Sequence, residues 1–285
     1  MTSSIPTDQQ ILGALECSGF LFEQEVATTL ESSGFHVETS WAYLDPDMEK
    51  SREIDLRAVK NVLNDEQLGL QVFVELLVEC KNSDSPLVFL ERPKNKRELE
   101  APQPREYVFP RKTYQHSLGA NSYREVPAFI HLDLAGSHYY FRDDRKATQF
   151  SKIVRKGSEW VANHEGIYDS LFLPLAKALE ARRKTVPTPS QQDKWRTVWL
   201  FFPVVVLRDN LMTLDASRSG RELKPRGRVT FVRNLDSDAL KGDYLVDFVT
   251  YQYLSSYIAN DIIRFADSVA SLGRDKPSLL RGDDA

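Results

Sequence analysis

From about Gly69 to Lys81 the chain alternates in the manner of a β-strand. Val72, Val74, Leu76, Val78 and Cys80 share one face, and Phe73, Glu75, Leu77, Glu79 and Lys81 share the other. The first face is entirely apolar, so the strand belongs in a core, and its second face delivers a carboxylate and an ammonium, Glu79 and Lys81, at the strand's end. Two helices and two strands are expected before it. Thr7 to Cys17 reads as a short helix, and a second runs from near Gly19 to about Ser33, with Gly34 as its C-cap. On a helical wheel Phe20, Phe22, Val26, Ala27 and Leu30 form one apolar arc. Glu23 falls inside that arc, whereas Glu25 points to the opposite, solvated side. His36 to Leu44 alternates with Val37, Thr39, Trp41 and Tyr43 on one face, and Asp45 to Lys50 is a turn. Ser51 to Val59 is the next strand, with Arg52, Ile54, Leu56 and Ala58 on one face and Ser51, Glu53, Asp55 and Arg57 on the other. Asn61 to Leu68 reads as a polar connection.

The later pattern is coarser. Ala128 to Leu134 and His138 to Phe141 read as strands. Helical periodicity covers much of Thr148 to Arg183, with Trp160, Ile167, Leu171, Leu175 and Leu179 as core positions. Thr185 to Asp193 is a polar, proline-containing linker. Val198 to Leu207 is a strongly apolar strand, with Leu211 to Leu214 as its expected hairpin mate around Asp209-Asn210. Val229 to Val232 and Tyr244 to Val249 add strands, and Tyr251 to Leu272 is an amphipathic helix carrying Tyr253, Leu254, Tyr257, Ile258, Ile262 and Phe265. The expected arrangement is a single elaborated α/β domain over residues 1–272, with the later strands extending the first sheet, followed by a loose polar tail over 273–285.

Composition narrows the function. With 285 residues, 41% hydrophobic and 27% charged, the chain has the make-up of a soluble globular protein with ample length for a core. Cys17 and Cys80 give no disulfide framework, and five scattered histidines give no metal-ligand spacing. Ile11 to Phe22 contains a glutamate and is too polar for a signal peptide or a membrane span, so a cytoplasmic protein without a membrane partner is expected. A formal net charge of −4 argues against coating nucleic acid by charge alone, yet is compatible with a local basic groove beside an acidic metal site. Two basic stretches exist. Residues 91–125 form a polar insertion in which Arg92, Lys94, Lys96, Arg97, Arg105, Arg111 and Lys112 outnumber the acids up to 112. Tyr107, Phe109, Tyr114 and Tyr123 are interleaved there, either to stack on bases or to pack the loop down. Arg142, Arg145, Lys146, Lys152, Arg155 and Lys156 make the better patch for phosphate contacts, and a solvated helix face is the plainer account of it.

The candidate chemistry lies in three acids on three elements: Glu23 on the helix, Asp55 on the middle strand and Glu79 on the third. Neighbouring strands are about 5 Å apart, so in the right register Asp55 and Glu79 converge on one cation. The competing account is a salt-bridged strand end, with Glu23 satisfied by an arginine. Acid-x-lysine spacing alone does not decide, since Glu222-Leu223-Lys224 and Asp144-Arg145-Lys146 share it without a preceding apolar strand.

Taken together, Ser18-Gly19-Phe20-Leu21-Phe22-Glu23 with Val26 and Leu30, Ser51-Arg52-Glu53-Ile54-Asp55, Val78-Glu79-Cys80-Lys81 and the downstream Ser85-Pro86-Leu87-Val88-Phe89 resemble the PD-(D/E)xK nuclease superfamily over roughly residues 18–90. Ile54 replaces the motif's proline, and the long spacing from Asp55 to Glu79 implies an extended hairpin. The resemblance implies a restriction-endonuclease-like core of helix, three-strand meander, helix and strand, in a mixed sheet flanked by helices. It implies Mg²⁺ or Mn²⁺ held by Asp55, Glu79 and the Cys80 carbonyl, with Glu23 acting through water or a second ion. Lys81 would orient the attacking water or stabilise the transition state. The implied activity is metal-dependent hydrolysis of phosphodiester bonds in DNA, with Gln149 facing the site and Lys112, Arg145, Lys146 and Lys152 touching nucleic acid. A catalytically silent module that binds DNA or a protein, and an RNase, are the alternatives. The oligomeric state is open; a dimer would suit symmetric double-strand cleavage.

Overall fold

The computed structural model describes residues 5–100, 104–119, 122–164, 166–187, 193–217 and 219–281. Helices α1 (Asp8–Ser18) and α2 (Phe20–Ser32) lead into a meander of β1 (His36–Leu44), β2 (Ser51–Asp65) and β3 (Leu70–Lys81). There follow β4 (Leu87–Pro93), the short β5 (Tyr107–Val108), the separate hairpin β6 (Thr113–Gly119) and β7 (Ser122–Pro127), then β8 (Arg145–Lys156) and β9 (Glu159–Asn163). The remaining strands are β10 (Arg196–Leu207), β11 (Leu211–Asp215), β12 (Leu223–Pro225), β13 (Arg228–Asp236) and β14 (Lys241–Thr250). Twelve strands form one mixed sheet along the order β1-β2-β3-β10-β14-β13-β8-β4-β11-β12, with β5 added beside β10 and β9 beside β8.

β3 and β10 are its spine. They pair in parallel along their whole length, from Arg196 opposite Leu70 to Leu207 opposite Lys81. Both are buried on both faces, which is why both read as near-continuous apolar runs. Val72, Val74, Leu76 and Val78 with Val198, Leu200, Phe202 and Val204 enter one core, covered by α2 and by helices Tyr251–Tyr257 and Arg264–Asp275. Leu77 with Phe201 and Val205 enters the opposite core, covered by helix Leu173–Thr185. One charge is set into this second layer. Glu75, fully buried, receives Arg57 (Nε–Oε1 2.7 Å) and Arg182 (Nε–Oε1 2.6 Å) and so fastens β2 and helix Leu173–Thr185 to β3.

Several expectations are corrected. β2 runs on to Asp65, so Asn61 to Asp65 is strand rather than connection, with a bulge between Asn61 and Leu63. Its face assignment also slips: Leu56 and Ala58 lie in the α2-side core, but Ile54 lies in the other. Likewise Val37 packs on the first core while Trp41 and Tyr43 pack on the second. The slip occurs at Ser40, whose φ of +49° is a left-handed conformation that breaks the two-residue alternation. Ala128–His131 and Tyr139–Arg142 are single helical turns, not strands, because short apolar runs carry no period of their own. Thr148 to Asn163 is strand, not helix; β8 and β9 form a hairpin around Gly157 (φ +64°), and Trp160 is 67% exposed rather than core. Ile167, Leu171, Leu175 and Leu179 are buried as expected. β11 pairs with β4 and β12, not with β10, since Asn210 (φ +63°) turns the chain away. In the basic insertion Tyr107, Phe109 and Tyr114 are buried and unavailable for stacking; Tyr123 is exposed. Most of the linker, at 188–192, lies outside the described residues. Among those described, no helix is long and apolar enough to cross a membrane.

The tail is also tied down. Pro277–Arg281 is a helix whose Leu280 is fully buried, and Arg281 Nη1 donates to the carbonyls of Leu68 and Gly69 at 2.6 and 2.9 Å. Residues 282–285 lie outside the described residues. Leu280→Ala should therefore cost about 2–3 kcal/mol in denaturant unfolding. A loose tail would leave the midpoint unchanged.

Candidate active site

β2 and β3 pair as far as Leu56 opposite Val78. Past that point they part. β2 continues against β1 through Ile54, Glu53, Arg52 and Ser51, while Glu79, Cys80 and Lys81 pair with Val205, Val206 and Leu207 of β10. The fork leaves Asp55 one step beyond the last pair, level with Glu79. Its carboxylate takes the place of a ladder partner: the Cys80 N–H donates to Asp55 Oδ2 at 2.6 Å. Lys81 Nζ donates to Glu79 Oε2 at 2.8 Å. Asp55 is also where β2 changes layers, which lets one strand end address both the α2 side, carrying Glu23, and the other side, carrying Glu79.

The electrostatics mark the cluster as unbalanced. Burial pushes the Glu79 carboxyl up to about 7; Lys81 pulls it down, and Asp55 and Glu23 push it further up. Asp55 is raised by burial against the opposing pull of the Cys80 N–H and Lys81. Glu23 is raised by burial and by Asp55, with Lys81 opposing. Burial disfavours the Lys81 charge, but Glu79 and Asp55 more than offset it and raise its pKa. Three carboxyls thus share one ammonium. Removing charges from water is costly unless they are paired, and here the pairing is incomplete.

Glu23, Asp55, Glu79 and Lys81, all expected at the site, are electrostatically coupled in the fork. Cys80 supplies its N–H, and its buried side chain lies in the α2-side core. Among the described residues no group of three or more His, Cys, Asp and Glu side chains is arranged ready to hold a metal ion. The donor set has the chemistry of a hard divalent cation nonetheless: carboxylate oxygens in excess of positive charge, each displaced in the direction that added positive charge would reverse. Glu79 is reached through an open cleft of about 440 Å³ whose lining includes Tyr43, Arg52 and Pro174.

The nucleic-acid residues divide. Lys152 lines the same pocket as Lys81. Gln149 is exposed further along β8, opposite Leu90. Arg145 and Lys146 lie at the far end of β8, opposite Pro93 and Arg92, bound to Asp215 (2.7 Å) and Glu98 respectively. They do not join the fork. Nor does Lys112, which precedes β6; Tyr114 of β6 donates to the Leu279 carbonyl at the Leu70 end of β3, away from Lys81. Phe20, placed in the apolar arc of α2, is 59% exposed. Glu25, expected to be solvated, is half-buried and paired with Arg208 at 2.7 Å. Nothing in the linear sequence distinguishes Arg208 from the other basic residues except its place after the apolar run ending at Leu207. The Arg208 N–H donates to the Lys81 carbonyl at 3.1 Å, and its guanidinium lies 4.2 Å over the Phe22 ring.

Glu79 supplies a pH test. Its folded value of about 7 stands above the ordinary 4.5. Between those values the folded state keeps a proton that the unfolded chain has released. This group's contribution to stability therefore falls as pH rises from about 5 to 7 and is flat above about 8. In EDTA, Glu79→Gln should gain melting temperature relative to wild type across that window; parallel pH profiles would show that the carboxyl is not held up. No family model, curated protein or solved structure matches the chain.

Proposed function

We propose that this protein is a metal-dependent nuclease that hydrolyses phosphodiester bonds in DNA. The observation that carries the reading is the fork itself, where Asp55 stands level with Glu79 at the parting of β2 and β3, Lys81 is bound to Glu79 alone, and the carboxyls of Asp55, Glu79 and Glu23, from three elements, are all raised in pKa. Glu75, on the same face of β3, is the internal comparison: there two guanidinium groups complete the neutralisation and nothing is left to bind. The order of elements supports the same reading. α2, the β1-β2-β3 meander, helix Leu173–Thr185 and β10 follow one another, with β10 parallel to β3 and the two helices serving opposite faces. That is the order expected of a restriction-endonuclease-like core, with residues 82–172 inserted between its third strand and second helix.

In this mechanism Asp55 and Glu79, with the Cys80 carbonyl, would hold Mg²⁺ or Mn²⁺. When bound, the ion supplies Lewis-acid polarisation of the phosphate and an acidified water. Asp55 is held in place by the Cys80 N–H. Lys81, released from Glu79, orients the attacking water or meets the charge that grows on the phosphate. Glu23 holds water or a second ion from the helix side. Water oxygen bonds to phosphorus, the bond to one sugar oxygen breaks, and that oxygen takes a proton, leaving one phosphomonoester end and one hydroxyl end. A silent nuclease-fold module that binds DNA or a partner protein is the second reading. The observation favouring it is the Lys81–Glu79 contact, which already closes part of the site at 2.8 Å.

Plasmid, single-stranded DNA and RNA incubated with Mg²⁺, Mn²⁺ or EDTA separate these readings. Wild type should cleave DNA only with metal. Asp55→Ala, Glu79→Ala and Lys81→Ala should each lose about 100-fold or more, and Glu25→Ala should retain activity. Cleavage confined to RNA would move the assignment to an RNase. Silence on every substrate with both metals would leave the binding module.

A further inference from the structure

A pocket of about 200 Å³ opens where the ends of β3 and β10 meet the start of β4. Its floor is apolar and buried, made by Leu87, Leu207, Ile167 and Leu171. Two ammonium groups stand on its lining, Lys81 from β3 and Lys152 from β8, the latter brought in by its pairing with Leu87. Lys81 is committed to Glu79. Lys152 has no ion-pair partner among the described residues, unlike Arg145 and Lys146 of the same strand.

A cation beside an apolar hollow, next to a site for the reacting phosphate, matches the repeat of a nucleic acid strand: phosphate, then base. The apolar floor suits the face of a base and not a phosphate, which leaves the Lys152 ammonium on the lining for the adjoining phosphate. A base stacked and paired in a duplex cannot enter such a hollow without leaving the helix, and unstacking costs a few kcal/mol. A single strand pays little of that cost. Resting on the nuclease reading, we propose that this pocket takes the unpaired base beside the scissile phosphate, with Lys152 on the adjoining phosphate, so that the substrate is single-stranded or frayed-end DNA rather than uninterrupted duplex.

The test is fluorescence anisotropy in EDTA with a labelled single-stranded oligonucleotide and the same sequence as a blunt duplex. It compares wild type, Lys152→Ala and Ser170→Trp. Ser170 is exposed on the pocket wall, and a tryptophan there fills the hollow. Wild type should bind the single strand about tenfold or more tightly than the duplex. Ser170→Trp, with an unchanged circular dichroism spectrum, should erase that preference, and Lys152→Ala should weaken single-strand binding about tenfold and flatten its salt dependence. Should Ser170→Trp fail to fold, Lys152→Ala decides. Duplex binding equal to or tighter than single-strand binding, no binding of either, or variants that bind like wild type would overturn the proposal. Single-strand binding that depends on Lys152 and Ser170, without cleavage in Mg²⁺ or Mn²⁺, would defeat the nuclease reading alone. Metal-dependent cleavage of duplex that Ser170→Trp leaves intact would defeat this inference alone.

Discussion

β3 carries two glutamates, Glu75 and Glu79, into the interior of the protein, and an uncompensated carboxylate there costs several kcal/mol. The rest of the structure meets that demand differently at the two positions. At Glu75 the guanidinium groups of Arg57 and Arg182 converge on both carboxylate oxygens, so the charge is neutralised and the helix layer is tied to the sheet. At Glu79 one ammonium serves a cluster that also holds Asp55 and Glu23. Two steps along one strand face, with Leu77 between them, separate a charge used for folding from a charge left underpaired.

Topology creates the second situation. As long as two strands are paired, backbone donors are consumed by the ladder. Where β2 leaves β3 and continues against β1 alone, the Cys80 N–H is freed and Asp55 fills the gap. The left-handed Ser40 on β1, level with Asp55, lets β1 and β2 change layers together at that point. β3 keeps its course because β10 holds it on the other edge to the last residue. The fork is thus anchored on β3 and β10, whose side chains are buried on both faces, with α2 packed over one of those faces.

Sequence patterning was most legible where burial is one- or two-sided and continuous. β3, β10 and α2 follow from alternation and helical spacing, and with them Glu79, Lys81, Asp55 and Glu23. It was least legible where a local feature shifts the phase. Ser40 has no sequence mark that announces a positive φ, so simple alternation puts Ile54, Trp41 and Tyr43 in the opposite layer from the one they occupy. Phe150, Ile153 and Val154 are spaced to suit a helix or a strand, and only the pairing of β8 with β4 resolves them. Partners distant in sequence are invisible for the same reason: Arg208 lies 183 residues from Glu25, and Asp215 and Glu98 pair with Arg145 and Lys146, two members of a patch that reads as free cations in the linear chain.

On this account the carboxyls of the fork are short of one cation. That shortage is tested most directly by calorimetric titration of Mn²⁺ into wild type, Glu79→Gln and Asp55→Asn, with melting temperatures recorded on the same samples. Saturable binding to wild type that raises its melting temperature, and that both variants lose while keeping their fold, is the result the account predicts. Absence of binding to wild type, or binding that survives both substitutions, would contradict it.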